Sequence, residues 1–484
     1  MREDLLDIFY VSTELYLLLI AFMILIYGVF SKNIDCARIS IPAIFALAFS
    51  FLFQYDFVPH DENFLFNGLY YSSKLMSVAK SIILLSTIVI FILLTGLRAK
   101  PGSNLNRFEL PAIIFFATIG MMLLVSSNDF ISLYLSMEMM SLSLYVLAAF
   151  DRDELASSES GLKYFILGAL ASGLMLFGIS LIYGFTGTVN FTMLADIFKQ
   201  DSVEVSRVMA VQAGMVLVIS GFLFKLSSAP YHFWTPDVYE GSPTIVTAFF
   251  ATVTKVSLVF ILYRMLTYAF ASYADSWSQI LLVAAGMSML VGAVGGLAQK
   301  NLKRLLAYSS INHVGFILAA IGINSPESLE AIMMYLVIYL IMNLGVFAIL
   351  LNMKSNGKET TDIAALSGLA KNRPCLAAII LILMFSMAGI PPFAGFFSKF
   401  YVLKLVVSSD HLLLAFIAII SSAIAAFYYL RVIKVVYFDE PSNKTIDQKP
   451  QFQNWFIYKL AAIFNLLLFI VFDLFLSLVG HLCS

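Results

Sequence analysis

About fourteen apolar runs, each near the length that a helix needs to cross a membrane, follow one another along the chain. A spanning helix takes about 20 mostly apolar residues. The runs cover residues 11–30, 40–54, 76–97, 109–126, 129–150, 161–185, 209–229, 243–270, 276–298, 302–322, 329–352, 375–404, 411–437 and 455–479. None alternates polar and apolar residues as a barrel strand does. We therefore predict an all-α polytopic membrane protein with about fourteen transmembrane helices.

Charged side chains are too scarce to cover a water-exposed surface of this size. They make up 12% of the 484 residues, while 61% of the residues are hydrophobic. A soluble domain is usually about 25% charged and about 45–50% apolar. The net charge of −1 provides no basic field to attract nucleic acid. These values argue against a soluble enzyme and against a nucleic-acid-binding protein.

The chain lacks the common sequence motifs for cofactors. Its three cysteines, Cys36, Cys375 and Cys483, are far apart and form no CxxC pair. Iron–sulfur and zinc sites built from cysteine need closer spacing. Neither a dinucleotide-binding glycine motif nor a P-loop occurs. We therefore expect neither a cofactor nor a metal in this chain.

Lysine and arginine residues indicate the orientation in the membrane. With fourteen spans both termini lie on one side, and cytoplasmic connections are enriched in these two residues. Most of those in the connections and near the helix ends fall on the side opposite the termini, whereas Lys80 and Arg264 are among the few on the terminal side. We therefore predict that both termini lie on the outer side of the membrane.

Four charged residues stand out inside apolar runs: Glu138, Lys225, Lys255 and Lys399. A charge at the bilayer centre costs at least about 2.5–3.5 kcal/mol. Snorkelling explains them poorly, because each lies several positions from the end of its span. A buried ion pair would account for Glu138 and Lys225, but one carboxylate cannot neutralise three lysines. We favour proton carriers, because a buried lysine can give up and regain its proton.

Two of these lysines lie beside helix breakers. Lys225 precedes the Ser-Ser-Ala-Pro sequence at 227–230, and Lys399 follows the Gly-Ile-Pro-Pro sequence at 389–392. Proline breaks a helix, and broken helices at membrane depth often line polar cavities in transporters. A plain proline kink is the alternative. We predict broken helices in spans 7 and 12.

The two predicted breaks also suggest an internal repeat. Spans 4–8 and spans 9–13 each contain five helices, with the broken helix fourth in each set. Because five is odd, two consecutive copies must be inverted in the membrane. The predicted regions are residues 1–108 with spans 1–3, 109–270 and 271–438 with one repeat each, and 439–484 with span 14.

His313 is a further candidate for the main set, and Lys303 and His232 are secondary candidates. His313 lies in a span and can pass protons near neutral pH, although it could equally be a histidine that bonds Ser309 or a water. Lys303 is either an interfacial anchor or a relay close to the span. His232 lies in a polar connection, where solvent exposure is the simpler interpretation.

Four stretches carry a resemblance to a known family: LYLSMEMMSLSLYVL, GFLFKLSSAPYHFWTPDVYEGSPT, QKNLKRLLAYSSINHVGF and MAGIPPFAGFFSKFYVLK. The chain resembles the antiporter-like membrane subunits of respiratory complex I, and most closely the subunit N family. The related subunit M family has a glutamate at the position of Lys399. The resemblance implies fourteen spans with two inverted five-helix repeats.

The resemblance also implies roles for individual residues. Glu138 and Lys225 correspond to the coupled pair of the first half, and Lys255 to the central relay. Lys399 corresponds to the terminal lysine on the broken helix of the second half. His313 lies where the family often has a polar or histidine relay.

By resemblance, the expected function is that of a membrane subunit of a proton-pumping NADH-quinone oxidoreductase. NADH, flavin, iron–sulfur clusters and quinone are then expected in partner subunits. The expected partners are M-type and small K- and J-type membrane subunits within a lipid bilayer. A bacterial inner membrane with periplasmic termini is expected, and the mitochondrial inner membrane is the alternative.

Two other functions remain open from the sequence. The first is a subunit of a multisubunit sodium/proton antiporter of the Mrp type, which would share most of the lysines. The second is a scaffold without pumping activity, in which the buried charges only hold subunits together.

Overall fold

The computed structural model describes residues 7–31, 35–97, 104–199, 205–355, 358–441 and 451–483. Over these residues the chain is almost entirely helical. Met1 and Ser484, the ends to which the predicted orientation applies, lie outside the described residues.

The first half contains α1 (Ser12–Phe30), α2 (Cys36–Asp56), strands β1 (Asn63–Leu65) and β2 (Tyr70–Ser72), α3 (Lys74–Thr95), α4 (Glu109–Ser126), α5 (Phe130–Ala148), α6 (Leu155–Thr186), α7 (Phe191–Phe198), α8 (Val205–Lys225) and α9 (Trp234–Gly241). A 3-10 turn, Asn104–Asn106, precedes α4. The antiparallel hairpin of β1 and β2 lies between the predicted runs 40–54 and 76–97.

The second half contains α10 (Thr244–Ala251), α11 (Val253–Arg264), a π-helical turn (Met265–Ala269), a 3-10 turn (Ala271–Tyr273), α12 (Ala274–Gly296), α13 (Leu302–Ile323), α14 (Ser328–Leu350), strands β3 (Lys354–Ser355) and β4 (Lys358–Glu359), a 3-10 turn (Ile363–Leu366), α15 (Leu369–Asn372), α16 (Pro374–Ala388), α17 (Ala394–Ser408), α18 (Leu412–Tyr437), α19 (Phe452–Leu467) and α20 (Phe472–Cys483).

Twelve helices in the described part of the chain are long and apolar enough to cross a membrane. They coincide with twelve of the predicted runs, which confirms a polytopic helical membrane protein. The run 375–404 instead holds the two shorter helices α16 and α17. The run 455–479 holds α19 and α20, and the chain bends by 102° between these two helices. The number fourteen and the two inverted repeats stay predictions.

The chain divides into two compact units. The first comprises residues 1–226, 241–243 and 253–279, and the second comprises residues 227–240, 244–252 and 280–484. The four predicted regions stay a prediction. In the first unit, α4 packs against α5 and α6 packs against α8. In the second, α14 packs against α13, α17 and α19.

Short polar residues fix where two of the spans begin. The Asp129 carboxylate accepts hydrogen bonds from the backbone N–H groups of Ile131 (2.7 Å) and Ser132 (3.0 Å). The Asn301 side chain accepts from the N–H groups of Lys303 and Arg304 at the start of α13. Such caps satisfy backbone donors that have no partner inside the helix.

Helices are interrupted at both of the positions that the sequence indicated. Helix α8 ends at Lys225, within the run 209–229, and Ser227 follows with φ of 66°. Helix α16 ends at Ala388, and Gly389 follows with φ of 84°, a conformation that glycine adopts without strain. A third interruption, at Thr252 between α10 and α11, was not predicted, because no glycine or proline marks it.

Candidate functional site

Lys225 is buried at the end of α8 and is held by two hydroxyl groups of α5. Its ammonium donates to Ser141 Oγ at 2.7 Å and to Tyr145 OH at 2.9 Å. It also lies 5.3 Å from the centroid of the Tyr145 ring. The ammonium of Lys225 is therefore bonded to neutral oxygen atoms. Among the described residues, no carboxylate lies within 4.0 Å of it.

Glu138 lies on the same helix as these hydroxyl residues, three positions before Ser141. Its Oε1 accepts a hydrogen bond of 2.5 Å from Ser172 of α6. Within the described ranges, no ion pair of 4.0 Å or less joins Glu138 to Lys225. Glu138 is only partly buried, whereas Lys225 is 4% exposed. Lys225 of α8 thus bonds two hydroxyl groups of α5, the helix of Glu138, without forming an ion pair with Glu138, and their coupling stays a prediction.

Lys255 is held by backbone at the end of α8. Its ammonium donates to the carbonyl oxygen of Leu226 at 2.6 Å. Leu226 is the residue directly after the last residue of that helix. The last carbonyl groups of a helix have no partner inside it and carry partial negative charge. Lys255, which is 1% exposed, therefore sits at a negative helix end.

Lys399 has the same arrangement in the second unit. Its ammonium donates to the carbonyl oxygens of Met387 and Ala388, each at 3.1 Å. These are the last two residues of α16, and Gly389 turns the chain away directly after them. No carboxylate lies within 4.0 Å of Lys399 among the described residues. The break after α16 therefore supplies the partners of this lysine.

A small cavity lies beside Lys399. Its volume is about 170 Å³, and Phe316, Gly389, Phe400 and Ser422 are among its lining residues. The ammonium lies 5.7 Å from the centroid of the Phe316 ring. A cavity of this size with a polar group on its wall is large enough for water.

His313 is the centre of a buried network of hydroxyl groups in the second unit. Its Nδ1 lies 2.7 Å from Tyr335 OH, and its Nε2 lies 3.5 Å from Tyr429 OH. The Tyr429 hydroxyl is 2.5 Å from Ser309 Oγ. The alternative that His313 bonds Ser309 directly is thus replaced by a contact through Tyr429.

A second set of buried hydrogen bonds lies beside the imidazole, where the ring centroid of Tyr339 is 5.4 Å from that of His313. Ser310 Oγ lies 2.9 Å from Tyr339 OH, which donates to the Ala251 carbonyl at 2.8 Å. Ala251 is the last residue of α10, so this tyrosine caps the interruption before Thr252. Hydroxyl and imidazole groups both donate and accept, which allows them to pass protons along such a chain.

The secondary candidates differ in their surroundings. Lys303 is 6% exposed and is the second residue of α13. His232 is half-buried between spans, where burial lowers the pKa of its imidazole. Next to Lys303, Arg304 binds Asp237 at 2.7 Å and Glu240 at 3.0 Å, which ties α9 to the start of α13. Because His232 is half-buried, it is not the fully solvent-exposed residue that the sequence suggested.

Sequence reasoning missed several of these residues. Ser141 and Tyr145 follow Glu138 at three and seven positions, a spacing that places all three on one helix face. Ser309, four positions before His313, was considered from the sequence, whereas Ser310, three positions before it, was not. In the part of the chain that the structure describes, no group of three or more His, Cys, Asp or Glu residues could hold a metal ion.

Known proteins are similar to this chain in sequence and in fold. The family described as "NADH:quinone oxidoreductase/Mrp antiporter, TM" matches residues 127–425. Subunit N of NADH-quinone oxidoreductase from Rhodospirillum rubrum is 43% identical over 89% of this chain and 88% of its own length. The subunit N from Rhodobacter capsulatus is 40% identical over 94% and 93%.

Solved structures agree with these relatives. A chain of respiratory complex I from Thermus thermophilus has a TM-score of 0.78 and 28% identity, over 96% of this chain and 98% of that chain. A chain of the Mrp complex from Dietzia sp. DQ12-45-1b has a TM-score of 0.84 at 20% identity, over 99% and 97% respectively. The second likeness shows a shared fold.

Broken helices with buried lysines, together with these matches, define the class of complex I and Mrp antiporter membrane proteins. Within that class, the chain belongs to the NADH-quinone oxidoreductase subunit N family.

Proposed function

We propose that the chain translocates protons as a membrane subunit of a NADH-quinone oxidoreductase. The observation that carries the proposal is that the buried ammonium groups of Lys225 and Lys399 are bonded to hydroxyl and carbonyl oxygens, with no carboxylate within 4.0 Å among the described residues. Neutral partners stabilise the ammonium without fixing its charge, since a neutral lysine can still accept or donate a hydrogen bond to hydroxyl groups. Such a residue can be loaded with a proton and emptied again.

The proposed carriers fall into two sets. Lys225, with Glu138 as its modulating carboxylate, takes up a proton from the cytoplasmic side, and Lys255 receives it. His313 and its hydroxyl network, followed by Lys399, carry protons in the second unit. Lys303 and His232 are secondary participants in this proposal.

Glu138 supplies a route for control from a neighbouring subunit. It is the least buried of the five main residues, and its carboxylate is bonded to Ser172 rather than to Lys225. A charge placed near this carboxylate by a partner would change how strongly Lys225 holds its proton. One pKa unit corresponds to about 1.4 kcal/mol, so a change of a few units is enough to drive transfer.

The rest of the reaction belongs to other subunits. Electron transfer from NADH to quinone, with its flavin and iron–sulfur clusters, takes place in partner chains. The proposed location is the bacterial inner membrane with periplasmic termini, beside M-type and small K- and J-type subunits. The mitochondrial inner membrane is the alternative.

Co-purification tests the assembly. The native protein, extracted in mild detergent, is expected to bring down NADH-oxidising and quinone-reducing subunits. An assembly that contains only antiporter subunits and oxidises no NADH would instead establish the Mrp-type function, which the 20% identical structure leaves less supported.

Lys255→Met separates a proton carrier from a scaffold. We expect the variant to assemble, because methionine fills the same apolar space, but to translocate protons at least about tenfold more slowly, as the loss of a proton-transfer group costs about 100-fold or more. Assembly is measured by native electrophoresis and pumping by a pH-sensitive dye in sealed vesicles. Failed assembly, with normal pumping in any complex that forms, would favour the scaffold.

Tyr335→Phe tests the hydroxyl network around His313. The substitution removes only the hydroxyl that lies 2.7 Å from Nδ1. We expect slower pumping with normal assembly, and Tyr401→Phe, on the less buried helix α17, as a control with little effect. Equal pumping by the two variants would contradict a role for this network.

A further inference from the structure

A second buried charged cluster lies outside the lysine series. Lys80 of α3 donates to Glu14 Oε1 of α1 at 2.5 Å, and the two side chains are 3% and 2% exposed. The sequence placed Lys80 among the few lysines on the outer side and assigned Glu14 no role. The structure therefore adds this pair to the four charged residues that the sequence indicated within spans.

Tyr70 completes this cluster from the β-hairpin. Its hydroxyl accepts a hydrogen bond from Lys80 and lies 3.4 Å from Glu14 Oε1. The ammonium of Lys80 lies 4.7 Å from the centroid of the Tyr70 ring. We call Glu14, Tyr70 and Lys80 the N-terminal triad.

Hydrogen bonds join the hairpin to residues that precede α1. The backbone N–H of Phe66 donates to Asp7 at 2.9 Å, and the Asn63 amide donates to the Tyr10 hydroxyl at 2.9 Å. The Tyr70 hydroxyl lies 3.2 Å from the Tyr10 carbonyl oxygen. These bonds close the triad off on the side where α1 and α3 begin.

One oxygen of the triad is left without a partner. Glu14 Oε2 is buried and accepts no hydrogen bond from any described residue, and neither does the neighbouring Thr13 hydroxyl have a partner. A buried carboxylate oxygen without a donor is costly, and a bound proton removes its negative charge. The free oxygen is therefore where a proton would bind.

The triad lies close to one membrane surface. Glu14 is the third residue of α1, and Lys80 is six residues from the start of α3. At about 1.5 Å per residue, Lys80 is roughly 9 Å from that helix end. Helices α1 and α3 begin on the same side, so the triad is buried yet near the outer end of these spans.

A polar connection joins this end to the helix of Lys255. Arg264, nine residues after Lys255 on α11, donates to the Ser127 carbonyl at 2.9 Å and to Asn128 Oδ1 at 2.6 Å. Tyr70 pairs with Ser127 through a backbone bridge. The Arg264 guanidinium also lies 3.9 Å from the centroid of the Tyr71 ring.

We propose that Glu14, Tyr70 and Lys80 form a second proton-binding site, at the end of the first three spans where α1 and α3 begin. A proton binds Glu14 Oε2 while Oε1 keeps its bond to Lys80, and it leaves from Oε2 as the carboxylate re-forms. The site lies outside the matched residues 127–425. Its exchange with the lysine series rests on the proposed function.

A purely structural ion pair is the competing explanation, and a double substitution separates the two. Replacing a buried ion pair by apolar residues of similar volume is often neutral for stability. Glu14→Met combined with Lys80→Met therefore preserves packing but removes both exchangeable groups. Glu14→Gln keeps the charge of Lys80 and the shape of residue 14.

The test uses the assembled complex in sealed vesicles with NADH and quinone. We expect both variants to translocate protons at least about tenfold more slowly, as for other proton-transfer groups. Pumping by the assembled double variant at the rate of the unmodified complex would overturn the proposal. Lys225→Ala in the same vesicles tests the proposed function separately, since either site can fail alone.

Chemical labelling covers the case in which a variant does not assemble. A hydrophobic carbodiimide reacts with a protonated carboxyl group, whose proton moves to nitrogen while the carboxylate oxygen adds to carbon, and rearrangement gives a stable N-acylurea. In the unmodified complex we expect Glu14 to be labelled, increasingly as the pH falls, by peptide mass spectrometry. A Glu14 peptide that stays unlabelled at every pH would overturn the proposal.

Discussion

Lys225→Ala is expected to reduce proton translocation by at least about tenfold, because loss of a positioned proton-transfer group costs about 100-fold or more in its step. The variant loses the ammonium that donates to Ser141 and Tyr145. Initial rates of vesicle acidification at fixed NADH and quinone concentrations provide the measurement, normalised to the amount of assembled complex.

Lys225→Arg separates a role in proton transfer from a role of the positive charge alone. Arginine keeps the positive charge but does not release its proton at physiological pH. If Lys225 carries protons, the arginine variant should pump as poorly as the alanine variant. If Lys225 only supplies charge, arginine should restore pumping.

Lys163→Ala is the matched control. Lys163 is 43% exposed and pairs with Glu159 at 2.7 Å one helical turn away. Exposed ion pairs of this kind contribute about 0.3–0.5 kcal/mol, so the variant should pump normally. Equal losses in Lys163→Ala and Lys225→Ala would show that the effect does not depend on the buried site.

Gly395→Ala is expected to destabilise the second unit by about 1–3 kcal/mol or more, because it overpacks the break before α17. A Cβ atom at this position would lie 1.8 Å from the Ser386 carbonyl oxygen. The Gly395 N–H donates to Ser386 Oγ at 2.9 Å, so the two helix ends are in direct contact. Relief requires movement of α16, whose last carbonyls bind Lys399.

The expected result is a lower melting temperature together with slower pumping at temperatures where the complex remains assembled. Gly173→Ala is the control, because nothing lies within 4 Å of a Cβ there. Alanine is about 1 kcal/mol better than glycine within a helix, so this variant should be neutral or slightly stabilised. If both variants melt at the same temperature, close packing at Gly395 does not matter.

Hydropathy was sufficient to predict most spans, the buried Lys225, Lys255 and Lys399, and the partly buried Glu138. It failed for Lys80, because a lysine six residues into a helix resembles an interfacial anchor. Its partner Glu14 lies 66 positions away in sequence, so only the folded chain shows the pair.

The tyrosines around His313 were missed for a different reason. Tyrosine counts as apolar in a span pattern, yet Tyr335, Tyr339 and Tyr429 each form a buried hydrogen bond through the hydroxyl group. The carbonyl partners of Lys255 and Lys399 could not have been found at all, since every residue has a carbonyl group. Only the positions of the helix ends distinguish Leu226, Met387 and Ala388 from other residues.

The contacts of Lys255 and Lys399 with helix ends have a mechanical consequence. A carbonyl group cannot be neutralised by pH or by salt, so the attraction that it exerts depends only on distance and direction. A shift of about 1 Å in either helix end would therefore alter how tightly the lysine holds its proton. Through these two contacts, a backbone movement would directly change the proton affinity of Lys255 and Lys399.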